Sequence, residues 1–285
     1  MNKRWLQVID RAINSAQTEF ALNQSWQEIH REYALGQLAN GKIKLTVHDK
    51  QQLSALVRCQ TGVDLSQHRV SDFNNLHREQ ALAIGNNEKL AGLAAKSNRL
   101  AIKALPNQQV NINQQSYSLP PFAHLDMALE NINQVQHDCI LVIENYRCFD
   151  RLDGMRLQLN ARFTQPLVMY RGDKEYNCSQ FLQQAKLPVL AMTDIDPAGL
   201  IIAQSLPYVV ALVAPELSVL ESILINKDTA NTTLYSKHAN YHAALERSEQ
   251  LTIRRFWQLL KRYQAGVVQE HWLNADVELL IHELI

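Results

Sequence analysis

LPVLAMTDIDPAGLIIA, residues 187–203, decides how the chain is read. Leu190, Ala191 and Met192 form an apolar run of strand length, and Pro197-Ala198-Gly199 reads as the turn into a helix. Asp194 and Asp196 fall between them, at the carboxyl end of the strand, where open α/β sheets receive their ligands. Two carboxylates on alternate positions offer oxygen ligands to a hard divalent cation such as Mg²⁺, which keeps several of its waters. A duller role is also open to them, because an Asp in this place caps the helix that follows.

Three more apolar runs surround this one: CILVIEN at 139–145, PLVMYRGD at 166–173 and YVVALVAP at 208–215. CSQFLQQAKL (178–187) and the stretch from Gly199 to Ser205 have helical patterns and lie between the runs. Four fully apolar strands separated by helix-length segments predict an α/β fold with a four-stranded parallel sheet and helices on both faces. The strand ends then supply Glu144, Asp173, Asp194 and Asp196, with Asn145 and Arg171 beside them. Asn145 could orient Glu144 and Arg171 could clamp a phosphate, although an Arg here also pairs readily with an acid such as Asp173.

Upstream, Trp5, Val8, Ile9 and Ile13 follow a helical period, as do Trp26, Ile29, Tyr33 and Leu35, and again Leu53, Leu56 and Val57. Asp49 and Ser71 read as helix N-caps, and NGKIKLTV (40–47) as a turn and short strand. These features predict a mainly helical N-terminal domain with small β elements, of winged-helix-like, DNA-binding or dimerising type, or a plain structural domain. RLAIKAL (99–105) and VNINQQSYSL (110–119) suggest strands, DMALENI (126–132) a short helix, and the breaks near 120–137 a boundary. The expected domains are therefore residues 1–136 and 137–285. From about residue 216 the chain reads as helical. In LTIRRFWQLLKRYQAG (251–266), Arg254 and Arg255 flank an apolar stripe and could touch a phosphate backbone, or simply form a solvated face.

Composition bounds the reading. The 28 Lys and Arg cancel the 28 Asp and Glu, so no global field announces a nucleic-acid partner, while a local basic groove stays possible. Four cysteines without CxxC spacing and no secretory leader lead to the expectation of reduced thiols in a cytoplasmic protein. The apolar runs are far short of a bilayer span, so no membrane insertion is expected. Neither GxxxxGK nor GxGxxG occurs, so no ATP-binding loop is recognised.

The glutamate of LVIENYRCF (141–149), followed about fifty residues later by the Asp-x-Asp of MTDIDPAGL (192–200), resembles the Toprim domain of topoisomerases, primases and nucleases. The Glu-Asn pair before an aromatic and the Asp-x-Asp-x-x-Gly turn look most like the JetD nuclease subunits of Wadjet plasmid-defence systems, related to MksG and to the topoisomerase VI A subunit. The resemblance covers residues 138 to about 215. It implies a Mg²⁺- or Mn²⁺-dependent endonuclease subunit acting on double-stranded plasmid DNA, with Glu144, Asp194 and Asp196 in metal and acid–base roles. It also implies a homodimer and partnership with an SMC-like ATPase, its kleisin and accessory subunits. Asp173 is not assigned by the motif. Glu270, in GVVQEHWL (266–273), is similar to a C-terminal acidic motif of JetD, but Val268 stands where an acid is expected.

Metal ions held by the aspartates would polarise the phosphate, activate water and offset charge on the leaving oxygen, while Glu144 completes the metal site or takes a proton. A topoisomerase VI-like transesterase would instead need a tyrosine, for which only Tyr33 and Tyr117 precede the Toprim segment. Phosphatases of the haloacid dehalogenase type also use Asp-x-Asp, but on the first strand, which Glu144 occupies here. A non-catalytic scaffold is the remaining alternative. His238 and His242, four apart, are expected to be solvated, since no Glu stands between them as in zinc proteases.

Overall fold

The computed structural model describes residues 1–93, 98–172, 178–226, 229–274 and 276–285. It divides into two compact units, Met1–Ser97 and Asn98–Ile285.

In the first unit, apolar residues at helical spacing bury one face each of α1 (Lys3–Ile13), α2 (Gln24–Tyr33) and α3 (Val47–Thr61), and α4 (Arg78–Ile84) follows. Asn2 and Asn23 cap the first two helices through their side-chain oxygens. Asp49 is not itself a cap. It is the third residue of a capping box whose cap is Thr46, because the helix starts three residues earlier than its polar sequence suggests. Ser71 lies within a 3₁₀ turn at Val70–Asn75, and α4 starts only after His77. The short strands β1 (Glu19–Ala21), β2 (Gln37–Ala39) and β3 (Lys42–Lys44) form an antiparallel sheet in the order β1-β3-β2. Trp26, Ile29, Ile43, Leu53 and Phe73 are central to this unit's own core.

The second unit is a mixed α/β structure. Its strands are β4 (Arg99–Lys103), β5 (Val110–Ile112), β6 (Gln115–Tyr117), β7 (Leu125–Ala128), β8 (Cys139–Ile143), β9 (Arg156–Leu157), β10 (Pro166–Tyr170), β11 (Val189–Met192), β12 (Val209–Pro215) and β13 (Glu278–Glu283). Helix α5 (Tyr146–Asp150) follows β8, α6 (Cys178–Ala185) follows β10, and α7 (Pro197–Ser205) follows β11. After β12 come α8 (Leu217–Ile225), α9 (Thr232–Lys237), α10 (His242–Glu246), α11 (Leu251–Tyr263) and α12 (His271–Asn274).

The four apolar runs all become strands, and they pair parallel in the order β10-β8-β11-β12. They do not stand alone as the expected four-stranded sheet. They form the middle of an eight-stranded mixed sheet, β7-β4-β10-β8-β11-β12-β13-β9, in which β4 and β13 join antiparallel on either side. Every residue of β8 and β11 is buried although alternate side chains point to opposite faces, so both faces of the centre are covered.

Two expectations fail at the edges. DMALENI forms β7 and a 3₁₀ turn rather than a helix, because pairing with β4 overrides its helical pattern. The C-terminal end, expected to be helical, finishes as β13 against β12. Since β4 and β7 belong to this sheet, the units divide at residue 97 rather than at 136. Among the described residues, no helix is long and apolar enough to cross a membrane.

Candidate active site

The register of the parallel strands assembles the site. Ile143 of β8 stands opposite both Tyr170 of β10 and Met192 of β11, so the next residues, Glu144, Arg171 and Thr193-Asp194, leave the sheet at the same edge. Glu144 N–H donates to the Met192 carbonyl at 3.0 Å, and Arg171 N–H donates to that of Ile143 at 2.8 Å. Asp194 N–H in turn donates to Glu144 Oε2 at 3.3 Å, which ties the two acidic positions together directly. Asp196 caps α7, its Oδ1 accepting from Gly199 N–H at 2.7 Å with Pro197 at the first helical position. Gly199 is required by space, since a Cβ there would lie 2.0 Å from the Asp194 carbonyl oxygen.

A distant stretch of chain closes the turn from the other side. Ile195 and Val267 exchange two backbone hydrogen bonds of 2.9 Å, and Gly266 passes so near that a Cβ would lie 2.7 Å from the Cβ of Asp196. Gln269 is fully buried; its N–H donates to Asp194 Oδ1 at 2.8 Å and its Nε2 to the Met192 carbonyl at 3.0 Å. Glu270 follows, and its Oε1 accepts from Asn145 Nδ2 at 2.7 Å. Asn231 pairs with Gly266 and caps α9, at whose end His238 stands with Nε2 3.8 Å from Asp196 Oδ2.

These contacts leave the carboxylates short of positive partners. Burial pushes the Glu144 carboxyl above its usual range, more than the Asp194 N–H and the Arg171 guanidinium, 3.8 Å away, bring it down. Burial also raises Asp194, helped by repulsion from Glu144, Asp196 and Glu270 against the single hydrogen bond from Gln269, up to about 7. Among the described residues, no group of three or more His, Cys, Asp or Glu side chains is arranged to hold a metal ion. The donors are nonetheless hard oxygens, each with one oxygen engaged by an N–H. Hard oxygens are the donor type that Mg²⁺ and Mn²⁺ take, through one or two carboxylates with water and substrate phosphate completing the shell.

A protein-family profile described as "Domain of unknown function (DUF7281)" matches residues 97–281. The chain belongs to this family. The matched span falls on the second unit and holds Glu144, Asp194, Asp196, His238, Gln269 and Glu270, while the first unit, apart from its last residue, lies outside it. No curated protein matches the chain.

Within the family's span, the structure brings Glu144, Asn145, Arg171, Asp194 and Asp196 together as the sequence suggests. The Asn145 side chain, however, caps α5 and holds Glu270. Arg171 pairs with Glu144, and Asp173 lies outside the described residues. Arg254 and Arg255 are not at the site. Leu251 N–H donates to the Ile285 carbonyl beyond β13, and Glu283 of that strand pairs with Ala211 near the start of β12, so α11 begins at the opposite edge of the sheet. His242 packs against Tyr235 and Trp257, but His238, expected in solvent, faces Asp196. Gln269 was missed altogether. Its only local signal is a polar residue inside the otherwise apolar approach AGVVQE.

Proposed function

We propose that this chain is a Mg²⁺- or Mn²⁺-dependent DNA endonuclease of Toprim type, a subunit of the JetD or MksG kind in a condensin-like plasmid-defence system. The observation that carries the reading is the placement of Glu144, Asp194 and Asp196 at one edge of adjacent parallel strands, with the first two carboxyls raised by burial and by repulsion from neighbouring acids. A bound divalent cation would supply charge neutralisation for a phosphodiester and activation of water.

The protein's own groups have separable tasks. Asp194 and Asp196, held by the N–H groups of Gln269 and Gly199, each keep a second oxygen for a cation. Glu144, whose carboxyl is pushed by burial above its usual range, is suited to take a proton from the nucleophile. Arg171, partly exposed beside Glu144, is placed to meet a phosphate. The first unit serves DNA binding or dimerisation, and an SMC-like ATPase with its kleisin and accessory subunits presents plasmid DNA in the cytoplasm. A homodimer would set two such sites against two strands.

Tyr33 is not set up as a nucleophile. Tyr33 accepts a hydrogen bond from Gln60 and packs edge-on against Trp5, and burial raises its pKa, opposite to what activation requires.

The test is incubation of closed circular plasmid with Mn²⁺ and the protein or its Glu144→Ala and Asp194→Ala forms. Nicking by the wild type, reduced at least about 100-fold in both variants, is expected. Equal cutting by all three would overturn the site.

A further inference from the structure

The residue after the Glu144–Asn145 pair is an exposed aromatic, Tyr146, with 44 % of its surface accessible. It begins α5, so its Cα lies within about 7 Å of that of Glu144 along the chain. Its ring is braced by other rings: Tyr170 at 5.3 Å edge-on, Phe149 at 6.2 Å and His124 at 6.2 Å. Arginines lie nearby, Arg171 paired with Glu144 at 3.8 Å and Arg151 with Asp150 at 3.7 Å. Arg171 follows Tyr170, and Arg147 is exposed without a carboxylate partner among the described residues. Further along the same helix the Arg151 guanidinium sits 5.2 Å above the ring of Phe122, itself half exposed.

Exposed, rigid aromatic faces interleaved with arginines are the chemistry that holds unpaired nucleotides, because every base offers a π-face while the phosphates meet the cations. A paired duplex keeps its bases stacked internally and offers Tyr146 no face.

We propose that the aromatic and arginine surface of α5 binds unpaired DNA, with Tyr146 stacking on a base next to the phosphate presented to Glu144 and Asp194. The inference rests on the nuclease reading for its location and refines its substrate to single-stranded or locally melted DNA.

The experiment measures binding of fluorescein-labelled oligothymidylate, and of a labelled duplex of equal length, to the full chain in EDTA. The wild type binds the single strand more tightly than the duplex. Tyr146→Ala weakens single-strand binding about 10-fold and leaves duplex binding unchanged. Tyr146→Trp, which keeps the ring face, binds as the wild type does, and Arg147→Ala lowers the salt dependence. Unchanged binding in Tyr146→Ala, equal loss in Tyr146→Ala and Tyr146→Trp, or no single-strand preference in the wild type would each overturn the proposal. Cleavage is not needed for this readout. Tyr146-dependent binding without any cutting in Mn²⁺ would overturn the nuclease reading alone, and cutting without such binding would overturn this proposal alone.

Discussion

The two edges of the same parallel sheet hold partly buried aspartates with opposite fates. At the amino edge, Asp138 precedes β8 and its Oδ2 accepts from Thr164 N–H at 2.6 Å, Thr164 Oγ1–H at 3.0 Å and Gln165 N–H at 2.8 Å. Burial acts to raise its pKa, yet these donors outweigh it and hold the carboxyl below its usual value. His137 beside it is likewise engaged at both ring nitrogens, by Asn111 N–H and the Gln165 carbonyl. At the carboxyl edge, Asp194 has one N–H donor and three acidic neighbours, and its carboxyl rises to about 7. Burial is shared by both aspartates; the number of donors and the sign of the neighbours differ. A carboxylate held by several donors stabilises the fold, whereas one with a single donor among acidic neighbours stores a demand for charge that a ligand can meet.

That contrast can be broken most severely at Gly199. Gly199→Ala drives a Cβ into the Asp194 carbonyl and is expected to cost more than about 3 kcal/mol, read as loss of cooperative thermal unfolding. Next comes the pH dependence of Asp194. A carboxyl whose pKa is raised on folding binds its proton more tightly in the native state, so stability falls as pH rises from the unfolded value of 3.8 through about 7. Thermal melts in EDTA should therefore drop between about pH 4 and about pH 7. Asp194→Asn should flatten this slope, and Mg²⁺ should flatten it in the wild type.

Asp138→Asn sharpens the comparison from the other edge. An amide there is left to pair with donors that need an acceptor, so a loss of about 1–3 kcal/mol is expected in denaturant titration, with Mn²⁺ affinity unchanged. The smallest effect belongs to Arg254→Ala and Arg255→Ala. Both positions lie on a solvent-facing stretch at the far edge, so stability should move by less than about 0.5 kcal/mol and plasmid cutting should not change.

Much of the carboxyl edge is legible without coordinates. The apolar runs CILVI, PLVMY, VLAM and VVALVAP announce buried strands, and the acids that end them must emerge where the strands do. Gln269, Glu270 and His238 are not legible in the same way. They reach the site because Val267 pairs with Ile195 and Asn231 with Gly266, contacts made across long loops; the acidic motif around Glu270 names a candidate but not the pairing that brings it there. The basic helix misleads for the converse reason. Its amphipathic pattern correctly buries Ile253, Phe256 and Trp257, but periodicity says nothing about which edge of a sheet a helix starts from.

The sequence alone determined the buried strands, the helix cap at Asp196 and the glycine that the turn needs, because each follows from side-chain period or local backbone space. Tertiary structure decided the eight-stranded order, the division at residue 97, the recruitment of Gln269, Glu270 and His238, and the exclusion of Arg254 and Arg255. Those outcomes depend on pairing between residues far apart in the chain, where the hydrogen-bond partner, rather than local propensity, selects the structure.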